Sequence, residues 1–123
     1  MKNVLLIGLD PRGVDFTNVP EMNEQKLSAA LKAEEERLNG LGYQTEWCLI
    51  DPGETAEALI LERLGTKKFD CILIGAGVRT MPAHFLLFEK VINLVHSHAP
   101  QARLCFNTKP DDSVEAVQRW VQP

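Results

Sequence analysis

No apolar run in the chain approaches the roughly 20 residues of a membrane span, so no membrane partner is expected. Cysteine is scarce: Cys48, Cys71 and Cys105 are odd in number, widely spaced and without a CxxC pair. That excludes a disulfide framework or a zinc site read from spacing. Positive charge is not in excess either. Lys and Arg number 13 against 17 Asp and Glu, a formal charge of −4, so no nucleic-acid partner held by a broad electropositive surface is expected. Internal repeats, linkers and low-complexity segments are missing. Ahead of Asp10 and Pro11 stand only the six apolar or Gly residues Val4 to Leu9. That is too short for the apolar core of a signal peptide, and a cytoplasmic location is the expectation.

What is present suits a folded globular protein. Hydrophobic residues make up 45% and charged residues 24% of 123 residues, the proportions and length of one domain spanning 1–123. Four short apolar runs recur: Val4–Ile7, Thr45–Ile50, Cys71–Ile74 and Ala102–Phe106. The first and third are almost continuously apolar, as in strands covered on both faces, while the second alternates and belongs nearer an edge.

Helical patterns fill the gaps. Pro20 is placed to open the first helix, with Leu27, Leu31 and Leu38 as its apolar stripe and Gly40 and Gly42 at its end. Glu34, Glu35, Glu36 and Arg37 are assigned to its wet side. A second helix runs from about Thr55 to Leu64, and a third from about Pro82 to His98. A last one opens near Asp111-Asp112, whose carboxylates suit a helix N-terminus, with Val114, Val117 and Val121 inward. Trp120 is expected to pack this helix down. The βαβαβαβα order predicts a three-layer α/β/α sandwich with a four-stranded parallel sheet of order 2-1-3-4, flavodoxin-like or Rossmann-like.

The third helix is unusually apolar. Phe85, Leu86, Leu87 and Phe88 are consecutive, and Val91, Ile92, Leu94 and Val95 widen the stripe. Deep burial explains this; so does a homo-oligomer interface through residues 85–95.

In such sheets ligands bind beyond the strand carboxyl ends, where the strand order reverses. The loops facing that point begin at Asp10 and at Gly75, and the first is long, about a dozen residues where two to six are usual. Arg12 and Arg79 each follow their strand by a few residues and can converge on a phosphate or carboxylate, with Gly75 and Gly77 letting the backbone approach and Lys109 adding a cation. The plainer alternative pairs both arginines with Asp10, Asp15 or Asp51. His84, with Asp10 and Asn107, can be drawn as a general base; a solvent-facing or capping histidine is the simpler reading. His96 and His98 point to different sides, so no metal pair is expected. The cysteines read as small buried apolar side chains without an activating base.

Gly75-Ala76-Gly77-Val78-Arg79-Thr80 departs from a dinucleotide fingerprint, because Thr80 stands where the third glycine belongs. The motifs of receiver domains, flavodoxins, cobalamin-binding domains and universal stress proteins are also missing, and no motif specifies a cofactor. The stretches Asp70–Arg79, Leu87–Asn93 and Phe106–Thr108 resemble a group of small bacterial single-domain α/β proteins with no assigned activity; the resemblance covers most of the chain and supplies no catalytic residue. The function expected from these residues is binding of a small anionic metabolite at the carboxyl edge of the sheet by Arg12, Gly75, Gly77, Arg79 and Asn107, with Asp10 and His84 as candidate catalytic groups. The alternative is a protein-interaction or regulatory module acting through the apolar third helix.

Overall fold

Apolar runs punctuated by glycine and proline take the form of covered strands in the computed structural model, which describes residues 1–123. Strands β1 (Asn3–Leu9), β2 (Gln44–Ile50), β3 (Cys71–Ile74) and β4 (Arg103–Phe106) pair in parallel in the order β2-β1-β3-β4. Around them lie α1 (Glu24–Gly40), α2 (Thr55–Thr66), α3 (Ala76–Arg79), α4 (Phe85–His98) and α5 (Ser113–Gln118), with single 3₁₀ turns at Pro11–Gly13 and Pro82–His84. The expected 2-1-3-4 sheet is therefore present, with β2 at one edge and β4 at the other.

Period-two alternation divides the core between two faces. Leu5, Ile7, Ile72 and Ile74 pack with Ile60 of α2 and Val91 and Val95 of α4. Val4, Leu6, Leu73 and Cys105 pack on the opposite face with Leu38 of α1 and Val114 and Val117 of α5. These are the three layers. No helix is long and apolar enough to cross a membrane.

Several boundaries differ from expectation. Helix α1 starts at Glu24 rather than Pro20, because the Asn23 side chain accepts from the Lys26 N–H at 2.8 Å and so caps it, leaving Pro20 to Met22 in turns. At its other end Gly42 takes φ +105°, a turn into β2 that favours glycine. The Gly75–Thr80 turn contains one turn of helix, α3. The third predicted helix becomes a 3₁₀ turn from Pro82 followed by α4.

Three side-chain assignments are corrected. Glu34 is 2% exposed rather than wet: its Oε1 accepts from the Ser113 and Val114 N–H groups at 2.8 and 3.3 Å, and its Oε2 from Arg37 at 2.6 Å. Glu34 thereby caps α5 from another helix. Asp112 instead closes the preceding loop, accepting from the backbone N–H groups of Thr108 and Lys109 at 2.9 and 3.2 Å. Trp120 is 57% exposed, and the C-terminus is held by Val121 and by the Tyr43 hydroxyl, which donates to the Val121 carbonyl at 2.6 Å. The turn after Gln118 carries Trp120 outward while Val114, Val117 and Val121 stay inside.

The apolar surplus of α4 is smaller than its composition implies. Leu87, Phe88, Ile92 and Leu94 join Val91 and Val95 against the core, leaving Phe85 (61% exposed) and Leu86 (73%) outside.

Candidate functional site

At the carboxyl ends of β1 and β3, where the strand order reverses, the fold leaves a cavity of about 290 Å³. Gly8 and Leu9 end the first strand there, and Gly75, Ala76 and Gly77 lead from the third into α3. Helix α1 contributes Leu27 and Leu31, and the long loop after β1 contributes Val14, Val19 and Met22. Trp47 of β2 and Met81 complete the apolar wall, and Asn107, Thr108, Lys109 and Pro110 form the rim after β4. Trp47 lies so close to β1 that a Cβ on Gly8 would stand 3.0 Å from its ring, so a larger residue there would have to displace the indole. Its indole N–H donates to the Leu31 carbonyl at 2.8 Å, fixing the ring against the middle of α1.

The predicted residues do not all meet here. Gly75, Gly77 and Asn107 line the cavity; Arg12, Arg79, Asp10 and His84 do not. Arg12 folds back on Asp10, with Nη2 2.7 Å and Nε 3.1 Å from its carboxylate. That pair borders a separate hollow with Asp51 and Thr55 beside β2. The side-chain hydrogen bond to Arg12 holds the Asp10 carboxyl below its ordinary range. Arg79 donates to the carbonyls of Ile74, at 2.9 Å, and Asn107, and lies over the Phe106 ring at 5.2 Å. Both guanidinium groups therefore brace the loops rather than converge, as the pairing alternative foresaw for Arg12. Arg79 takes carbonyls instead of carboxylates, and burial lowers its pKa.

Asn107 has a structural task within the rim. Its Oδ1 accepts from the Ala76 N–H at 2.8 Å and its Nδ2 donates to the Ser113 hydroxyl at 3.1 Å, tying β4 to α3 and α5. His84 Nδ1 lies 3.2 Å from the Gly77 carbonyl, outside the cavity. Lys109 is the only charged residue in the lining; its Nζ is 3.8 Å from an Asp111 carboxylate oxygen.

The apolar lining was missed from sequence. Leu27 and Leu31 carried the periodic signature of core residues, and Trp47 that of an edge strand. The readable signal was in the loop: Val14, Val19 and Met22 are apolar residues in a stretch that need bury none of them.

The thiols lie elsewhere. Cys48 is pushed up to about 11 by burial, and Cys105 is raised by its hydrogen bond with Cys71 and by burial. The Cys71 and Cys105 sulfurs are 3.5 Å apart, but Cys105 lies opposite Leu73, two residues from Cys71's own partner. That offset of roughly 6.6 Å along the strand puts the Cα atoms beyond disulfide reach without backbone movement. No group of three His, Cys, Asp or Glu side chains is arranged to hold a metal ion. Comparison with models of known families finds no match to this chain, and comparison with curated proteins finds none either.

Proposed function

We propose that this chain is a small-molecule-binding domain that takes an anionic ligand into the cavity beyond β1 and β3, with the ligand's anionic end at the Lys109 rim. The observation that carries this reading is the position of the cavity, about 290 Å³ of space at the point where parallel α/β sheets bind ligands. Its walls are largely apolar, so burial of the ligand's body supplies most of the affinity and the cation selects charge. Arg12 and Arg79, engaged with protein groups, have no part in it.

A binding role has more support than a catalytic one. Asp10 is held by Arg12, and His84, which does not line the cavity, sits against the Gly77 carbonyl. The alternative module acting through residues 85–95 rests on the two exposed side chains Phe85 and Leu86 alone.

A thermal-shift panel of nucleotides, sugar phosphates, flavins, dicarboxylates and hydrocarbon acids tests the proposal. A ligand at about 100 times its Kd adds about 2.7 kcal/mol of stability. Gly77→Leu, which adds volume at the wall, is expected to abolish that gain while keeping its own cooperative melt. A panel without any stabilising member overturns the reading.

A further inference from the structure

Whatever enters the cavity meets a wall whose polar side chains, Lys109 apart, are already engaged. The Asn107 amide is bonded to Ala76 and Ser113, the Thr108 hydroxyl to Asp112, and the Trp47 indole N–H to Leu31. The backbone N–H groups of Thr108 and Lys109 donate to Asp112 as well. The side chain with donors to spare is the Lys109 ammonium, 65% exposed and as far as 3.8 Å from its nearest carboxylate oxygen.

That distribution selects among anions. A sugar phosphate or nucleotide would carry several hydroxyl or amide groups into the cavity, stripped of water and unpaired. A molecule with one anionic end and a hydrocarbon body needs a single polar partner. The volume, about 290 Å³, holds on the order of ten heavy atoms at roughly 30 Å³ each. Met22 and Met81, unbranched and adaptable, fit around either a chain or a ring.

Resting on the binding reading above, we infer that the ligand class is a monocarboxylic acid with a hydrocarbon body, its carboxylate at Lys109 and its body against Trp47, Met22 and Met81. A rim-exposed ion pair contributes modestly, so the charge sets preference and the body sets affinity.

Trp47 provides the readout, in a Trp120→Phe background that leaves it the only indole. Octanoate, hydrocinnamate, octanol and ribose phosphate are titrated in turn. Octanoate or hydrocinnamate is expected to quench or shift Trp47 emission with a Kd about fivefold below that of octanol, and ribose phosphate to leave it unchanged. Lys109→Met, on an exposed side chain, is expected to erase the preference for octanoate over octanol and leave octanol binding unaltered. Octanol binding as tightly as octanoate in the Lys109 protein overturns the acid class while the cavity reading stands, and so does binding of ribose phosphate alone. If no probe moves Trp47 emission and none raises the melting temperature, this inference falls, and the panel above decides whether the cavity reading falls with it.

Discussion

Glu34, Glu35 and Glu36 are chemically identical neighbours with different physical roles. Only Glu34 turns inward, where its carboxylate receives two N–H groups at the start of α5 and an Arg37 guanidinium. Removing it leaves buried donors unpaired, so Glu34→Ala is expected to cost about 2–3 kcal/mol in urea unfolding, whereas Glu36→Ala stays within about 0.5 kcal/mol. Asp112 gives a pH signature. Burial works against its ionised form, but the Thr108 hydroxyl and the Thr108 and Lys109 N–H groups outweigh it, and the carboxyl is held below its ordinary value of 3.8. A depressed folded pKa means the contribution is complete above that value and disappears as pH falls through the lower one. Stability measured from about pH 6 to 2 is expected to decline less steeply in Asp112→Asn than in the parent. Neither role was legible beforehand, since nothing along the chain tells one glutamate of a triplet from the next.

Elements were more legible than residues, because hydrophobic periodicity is a local property. The four strands lie where the apolar runs are, and the helices fill the gaps. Helix starts moved where a side-chain cap competed with a proline, as at Asn23 against Pro20. The sheet edges carry a feature that no run predicts. The outward Thr45 N–H of β2 donates to Asn39 Oδ1 at 2.8 Å, and the outward Trp47 carbonyl accepts from Arg63 at 2.8 Å. On β4, Arg119 donates to the Phe106 carbonyl at 2.8 Å. Side chains from the flanking helices and from the turn after α5 thus occupy groups that would otherwise template another strand. The double variant Arg63→Ala, Arg119→Ala is expected to fold but to gain mass with rising concentration in light scattering, which the parent does far less.

At the scale of the molecule, one sheet serves two cores. Leu6 faces α1 and α5, Ile7 faces α2 and α4, and both belong to β1, the strand with partners on either side. Neither core survives without β1, so unfolding is expected to be a single transition. Leu6→Ala and Ile7→Ala should each cost about 2–5 kcal/mol, with near- and far-ultraviolet circular dichroism remaining coincident in both; separated transitions would show that the two faces unfold independently. The same arrangement places the cavity, since strand order reverses between β1 and β3 and the helices diverge above that point.

The sequence by itself determined the alternation of strand and helix, the parallel sheet and its order, and with it the switch point between β1 and β3. These follow from periodicity, glycine and proline punctuation and the handedness of crossovers, all encoded within short stretches. Only the tertiary structure decided which side chains meet at that point. Arg12 found Asp10 two residues away, and Arg79 found two carbonyls and an aromatic face, so the pair that looked convergent separated. The cavity wall was assembled instead from Val14, Leu31, Trp47, Met81 and Lys109, drawn from five separate segments. A guanidinium or an apolar side chain pairs with whatever the whole fold brings within a few ångströms, and that choice is not written in the neighbouring residues.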